Sequence, residues 1–420
     1  MTSAPIAGSR QLNWAGNHEY AFGEPLAPGS LDELRNVVAS HRRLRVIGTR
    51  HSFNALADGE RAVSVGRLPT EVVVDRSAMT VTCGAGLTYG ELAGHLRPHG
   101  VALHNLASLP HISIAGAVAT ATHGSGDGNG NLATAVAAVE LITASGDVVT
   151  VWRGMPEFDG CVVSLGALGV VTRLTLDVEP AFEIGQLVYE GLEWEALLDG
   201  FDEITSTGYS VSVFTGWAER AGSVWVKRRI GVGESWPATL AGAVPADGQR
   251  HPLPGLDPVN CTPQLGSPGP WEDRLPHFRM GFRPSNGEEI QSEYHVPRVH
   301  VREAALALLG VSAQVRPVLL VGEIRTVAAD TLWLSPQYGR DTASFHFTWV
   351  RDQARVERAL AAVESALEPF DPRPHWGKVF CYGPDTGRRF ARLPEFLALR
   401  GHFDPSGRFA NDWLDEHLLT

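Results

Sequence analysis

The stretch from Asn105 to Gly130, NLASLPHISIAGAVATATHGSGDGNG, constrains this chain more than any other. Small residues dominate its middle: Ser108, Ser113, Gly116, Ala117, Ala119, Thr120, Ala121, Thr122, Gly124, Ser125 and Gly126. With little side-chain bulk in the way, backbone N–H groups approach a ligand closely, and the hydroxyls add donors. A diphosphate, whose oxygens only accept, suits such a surface. The bland alternative is a flexible linker, but a linker would not interleave Leu109, Ile112, Ile114 and Val118 with the small positions. No GxGxxG, Walker A, HExxH or GxSxG pattern is present. A nucleotide-type cofactor would have to be cradled by loops of an α+β domain.

A second constraint is GTRHSFN, residues 48–54, directly after the apolar run RLRVI. It sets His51 in a tight turn behind a buried strand. A lone turn histidine is most often a hydrogen-bonded structural residue, yet its position upstream of the diphosphate-type run points to the ligand. His51, His111, His123, His346 and His375 show no i, i+4 spacing. That pattern counts against a zinc hydrolase, and no metal is expected.

At 420 residues the chain is long enough for two cores. Its net charge of −12, without any basic block, argues against nucleic acid or an anionic membrane as partner. No apolar run reaches the roughly 20 residues of a membrane helix, and MTSAPIAGSRQLNW lacks the apolar centre of a secretory signal. Cys83, Cys161, Cys261 and Cys381 are far apart, as reduced cytoplasmic cysteines would be. On that reading the sequon at Asn260 carries no glycan, and nothing requires more than a monomer.

Along the chain, Ser30 to Glu33 reads as a capping box opening a helix to about His41, and Thr88 to Glu91 opens a second ending near Gly100. RLRVIG, EVVVD, TVTCGAG and GALGVVTRLTLDVEP read as strands, and VAAVELITASGDVVTVW as a hairpin turning at Ser145–Asp147. The elements lack βαβ alternation, which favours α+β. After Pro180 come the alternating strands YSVSVFTGW and SVWVKRRI, then a Pro/Gly-rich passage over 236–270. Strands resume at EIQSEYHVP, VGEIRTVA and TASFHFTWV, followed by an amphipathic helix with Val356, Leu360, Val363 and Leu367 on one face. The expected organisation is a cofactor domain over 1–182, a substrate domain with a large antiparallel sheet over 183–371, and a C-terminal segment over 372–420.

Strand alternation yields a second site. Glu323 and Arg325 share one face, with Ile324 opposite. His346 and Thr348 share another, with Phe345, Phe347 and Trp349 behind it. PRPHWGK adds His375 and Lys378. Solvated outer faces would explain an isolated charged pair, but the flanking bulky apolar residues suggest strands near a core. Several donors and acceptors together suit a polyhydroxylated substrate, because each hydroxyl both donates and accepts.

RVIGTRHSFN, NLASLPHISIAGAVATATHGSG and SLGALGVVTRLTL together resemble the vanillyl-alcohol-oxidase family of flavoproteins, in detail its alditol (xylitol) oxidase branch. The resemblance continues through NWAGN, VNCTPQLGSPGPWEDRLPHFR, GEIRTVAAD, HFTWV and RPHWGKVF, from about Asn13 to Asn411. It implies a two-domain α+β fold and FAD joined covalently to His51. The family commonly has a small residue before this histidine; here it is Arg50. The resemblance further implies cofactor contacts from Val46, Ile47, Gly48, Thr49, Arg50, Ser52, Ser108, Ser113, Gly116, Thr120, Ala121, Thr122, His123, Val171 and His375. GHFDPSGRFAN is expected to fold back towards the flavin with His375.

Substrate contacts implied in the same way are Ser108, Glu323, Arg325, Thr348 and Lys378. Arg325 and Lys378 are the expected catalytic cations, and His346 handles a proton or binds a hydroxyl. The implied reaction takes the C1 hydroxyl of an alditol to an aldose by hydride transfer to flavin, and O2 then yields H2O2. An aldonolactone oxidase or dehydrogenase stays open, since Ala107 alone does not decide between oxidase and dehydrogenase. A non-catalytic flavin- or sugar-binding protein is the alternative from another class.

Overall fold

The computed structural model describes residues 11–231, 235–281 and 289–418. The stretch 1–10, part of the segment read as lacking a signal, lies outside the described residues. Two antiparallel sheets organise the rest. The smaller has five strands in the order Val72–Asp75, Thr80–Gly84, Val170–Asp177, Val136–Ile142 and Val148–Trp152. Val136–Ile142 and Val148–Trp152 form the expected hairpin. Arg45–Ile47 pairs in parallel with Ala62–Ser64 beside this sheet and delivers the chain into the His51 turn.

The larger sheet runs through Glu183–Leu192, Gly222–Arg229, Ser210–Thr215, Leu319–Val327, Thr342–Val350 and Glu289–Pro297, with short strands at its edges. Leu319–Val327 and Thr342–Val350 are neighbours in a register that sets Glu323 opposite His346 and Arg325 opposite Ser344. On the far side of Thr342–Val350, Glu293 pairs with His346 and Gln291 with Thr348. The period of two therefore sorts all three strands into the same two faces.

One face is apolar. Ile290, Tyr294, Ile324, Phe345, Phe347 and Trp349 pack with the helix Gln353–Leu367 through Val356, Leu360, Val363 and Leu367. Asp352 caps that helix by accepting from the Arg355 N–H. Truncating the fully buried Leu360 to alanine would cost about 2–5 kcal/mol. The opposite face carries Gln291, Glu293, Glu323, Arg325, His346 and Thr348 towards the first 180 residues. Glu293, Glu323, Arg325, His346 and Thr348 are buried and Gln291 is half-buried, so the solvated-face alternative does not hold. Among the described residues no helix is long and apolar enough to cross a membrane.

Candidate active site

The polar face of the large sheet and the small-residue loops of the first part enclose one cavity of about 940 Å³. Gly48, Thr49, Ser52, Ser113, Gly116, Thr120 and Thr122 line one part, and Glu323, Arg325, His346, Thr348 and Lys378 line another. Val46, Ile47, Arg50, His51, Ser108, His123, Val171 and His375 also reach it. Ala121 does not; it is fully buried in the apolar core at φ 53°. The 105–130 run thus divides. Its part up to His123 faces the cavity, while Gly126 bonds to the carbonyl of Thr326 at 3.0 Å and splices the run onto the large sheet.

The cradle is built by close approach. A Cβ on Gly48 would stand 2.2 Å from Oγ of Ser113, so only glycine keeps that hydroxyl in place. Thr49 Oγ1 accepts from the Ser113 N–H at 3.1 Å, which leaves its own hydrogen for Nδ1 of His51, 3.0 Å away. Trp14 stacks on the His51 ring at 5.2 Å. Flanking segments clamp the turn on both sides. Trp14 N bonds to Arg50 O at 2.8 Å and Asn13 Nδ2 to Ser52 O at 2.9 Å, while Phe53 N reaches Gly377 O at 2.8 Å. Asn54 Nδ2 donates at 2.8 Å to the carbonyls of both Trp376 and Lys378. Arg50 sits at φ 61°, a region few side chains adopt, and its guanidinium donates to Gln11 Oε1 at 2.9 Å.

Of the C-terminal segment, His375 and Lys378 line the cavity, but residues 401–411 stop behind its wall. There the Phe409 carbonyl accepts from Arg45 Nη1 at 2.5 Å, and Arg45 also holds the carbonyls of Leu56 and Leu165. The expected return towards the cofactor is in that part a brace of the cradle.

At the other end, Glu293 accepts from Arg325 Nη2 at 2.5 Å, from Lys378 Nζ at 2.7 Å and from Ser344 Oγ. Burial alone would raise its carboxyl, but Arg325 and then Lys378 hold it well below the usual range. Glu323 is likewise held low against burial, by Arg325 and His277. Burial, with Lys378 behind it, pushes His346 down to about 3, so the ring is neutral.

Among the buried polar atoms without a hydrogen-bond partner are Nε of Arg325 and Nδ1 of His346. They flank Glu323 Oε2 at 3.6 and 3.8 Å. Gln291 Oε1 lies 3.2 Å from Nε2 of His346, which places the ring hydrogen there and leaves Nδ1 an acceptor. A donor and an acceptor thus stand ready for one hydroxyl.

Alternation missed Glu293, Gln291, His277 and Lys227. Glu293 was accessible to the same period-two argument, since EIQSEYHVP puts Gln291, Glu293 and His295 on one face. His277 lies in irregular chain and offers no such signal. His123, Glu293 and His295 bring ligating atoms within 4.8 Å of one another. Yet Gln337 Nε2 donates to His295 Nδ1 at 2.9 Å, so the free nitrogen of His295 carries a hydrogen and offers no lone pair.

The sequence family described as FAD binding domain matches residues 26–151, and that described as D-arabinono-1,4-lactone oxidase matches residues 285–417. An alditol oxidase from a Streptomyces species is 49% identical, over 97% of this chain and 98% of that protein. An L-gulono-1,4-lactone dehydrogenase from Mycobacterium tuberculosis is 29% identical over 96% of this chain and 97% of its own length. Among solved structures, the cholesterol oxidase from B. sterolicum superposes with a TM-score of 0.75 at 14% identity, covering 97% of this chain and 96% of that one. A solvent-stable cholesterol oxidase reaches a TM-score of 0.78 at 16% identity, covering 98% and 97%. At these identities the likeness shows the fold.

Proposed function

The chain belongs to the alditol oxidase branch of the vanillyl-alcohol-oxidase family of flavoproteins, and from that premise we propose that it oxidises the terminal C1 hydroxyl of alditols such as xylitol and sorbitol to aldoses. When bound, FAD would supply the acceptor for the hydride leaving C1, and O2 would take up the two electrons with two protons as H2O2. The glycine-lined, hydroxyl-rich cradle around Gly48, Ser113 and Gly116 fits the diphosphate of such a cofactor.

The unpartnered Arg325 Nε and His346 Nδ1 carry the substrate assignment. A substrate hydroxyl accepts from the guanidinium and donates to the imidazole, and Glu323 Oε2 receives a second hydroxyl hydrogen. Ser108, Thr348 and Lys378 extend the contacts along the polyol. Arg325 and Lys378 supply positive potential where negative charge builds up during hydride transfer. Such a site discriminates by leaving buried groups unpaired when a hydroxyl is missing.

We assign His51 as the covalent anchor of the flavin, because Trp14 and Thr49 hold its ring at the cavity wall. An imidazole nitrogen is a competent nucleophile towards the flavin methyl group. The same reading divides the chain into a cofactor domain over 1–182, a substrate domain over 183–371 and a returning segment over 372–420, working as a cytoplasmic monomer.

Two measurements test the reading. The visible spectrum is recorded before and after acid precipitation; flavin that stays with the pellet, and leaves it in His51→Ala, supports the covalent link. Anaerobic bleaching by a panel of alditols and aldonolactones tests the substrate. Aldonolactones are the second reading because the D-arabinono-1,4-lactone oxidase match spans Glu323 to Lys378, and bleaching by lactones alone would replace the alditol assignment.

A further inference from the structure

Lys227, His277 and Glu323 form a chain of contacts that the substrate assignment leaves without a role. Lys227, on Gly222–Arg229, is 2% exposed. Its ammonium donates to the Leu275 carbonyl and lies 3.4 Å from the Pro276 carbonyl and 3.5 Å from Nδ1 of His277. His277 lines the cavity and is held edge-on against Phe214 and Trp225, with centroid distances of 5.2 and 5.5 Å. Its Nε2 faces Oε1 of Glu323 at 3.2 Å. The contacts run from a buried amine, through one imidazole, to the carboxylate assigned to substrate.

We propose that Lys227 is a positioning residue for the polyol: it fixes His277 as the neutral Nε2–H tautomer, which occupies Oε1 of Glu323 and reserves Oε2 for a substrate hydroxyl. This rests on the alditol reading of the site. An ammonium has three donors and no acceptor, so the ring nitrogen facing it must be the one with the lone pair. The single hydrogen of a neutral ring then sits on Nε2 and points at Glu323. Burial first, and Lys227 second, push His277 down to about 4, so the ring is neutral at ordinary pH. Burial also pulls Lys227 down, to about 7, against the opposing pull of Glu323, so Lys227 is an ammonium and imposes this tautomer below about that pH.

Other charged or titratable groups facing Lys227 are Arg325 and the Cys261 thiol, and Arg325 also faces His277. Without Lys227, the pull of Glu323 on His277 is opposed only by burial and Arg325. An imidazolium would then pair with Glu323 and make it a poorer acceptor for substrate.

The test uses the FAD-loaded enzyme and the variant Lys227→Met, which keeps the stem's bulk and removes the ammonium. Expected is a rise of about tenfold in KM for the alditol, with kcat changed less. The rise should grow as pH falls from about 7 to 5, because His277 now titrates nearer its ordinary range. His277→Asn in the Lys227→Met background should abolish that pH dependence, since an amide does not titrate. Nitrogen-15 NMR of labelled histidines, with His277→Asn identifying the signal, should show the Nε2–H tautomer in the unsubstituted protein and a titrating ring in Lys227→Met. An unchanged KM profile together with an unchanged His277 signal overturns the proposal. A pH-independent loss that persists with His277→Asn also overturns it and marks Lys227 as structural. Should Lys227→Met fail to fold, Lys227→Gln is held to the same outcomes. If no alditol bleaches the flavin of the unsubstituted enzyme, the substrate reading fails, while the tautomer measurement still judges Lys227.

Discussion

Oε1 of Glu293 lies 2.5 Å from Nη2 of Arg325, while Oε2 of the same carboxylate lies 2.7 Å from Nζ of Lys378. The two cations assigned to the substrate therefore share one fully buried counter-ion. Glu293 stands two strands away from Arg325, across Thr342–Val350, and lines the cavity on the same polar face as both cations. It supplies the charge that lets an arginine and a lysine remain ionised where burial alone would lower both.

Glu293→Gln keeps the shape and removes that charge. Two cations are then left under-neutralised in the interior, and the expected loss of stability is about 3–5 kcal/mol. Equilibrium urea unfolding measures it. The pH dependence follows from the sign of the shift. The folded carboxyl lies well below its ordinary value, so its stabilisation is present above the ordinary carboxylate range and is lost as pH falls towards the folded value. Glu293→Gln should therefore flatten the acid limb of the stability curve as well as lower its plateau. An unchanged acid limb would contradict the shared counter-ion.

The vacant donor and acceptor predict a specific dependence on hydroxyls. Arg325 Nε and His346 Nδ1 both lack a partner. A substrate analogue lacking the hydroxyl that joins them leaves two buried groups unsatisfied, and kcat/KM should fall by about 10⁴-fold. Steady-state kinetics on a deoxy-alditol series finds the position. His346→Phe should remove much of the discrimination, because its acceptor is gone, and should lower kcat/KM for the full substrate by about tenfold or more. His346 is held at about 3, so no acid limb between about pH 5 and 8 should belong to it. Equal turnover of every deoxy analogue would remove the hydroxyl-bridging role.

Much of this site was legible because a strand's period is two. Glu323 with Arg325, and His346 with Thr348, were placed on shared faces by counting alone, and their bulky neighbours signalled a core behind them. The same counting reaches Glu293, but alternation does not say which strand lies beside which. Glu289–Pro297 joins the sheet on the far side of Thr342–Val350, after a long connection whose described residues form only the short strands Val244–Pro245 and Gly269–Pro270. Sheet order of this kind depends on tertiary packing. Lys227 reads in SVWVKRRI as one more strand cation, and only the fold shows it buried against the Leu275 carbonyl. Small residues serve close packing as readily as ligand approach, and the side chain of Ala121 lies in the apolar core.

The cradle supplies the last prediction. A methyl group on Gly48 would meet Ser113 Oγ at 2.2 Å but Ser113 Cβ only at 3.4 Å. Gly48→Ala should therefore displace the hydroxyl without wrecking the turn, and flavin content per protein should drop by at least about fivefold if that hydroxyl binds the cofactor. The double variant with Ser113→Ala separates crowding from chemistry. If the methyl group merely crowds the cradle, removing the hydroxyl makes room and flavin content recovers beyond that of Gly48→Ala. If the Ser113 hydroxyl itself holds the diphosphate, Ser113→Ala alone loses flavin and the double variant does not recover. The absorbance ratio of flavin to protein in purified samples reads all three variants. Full flavin content in Gly48→Ala would remove this part of the cavity from the cofactor site.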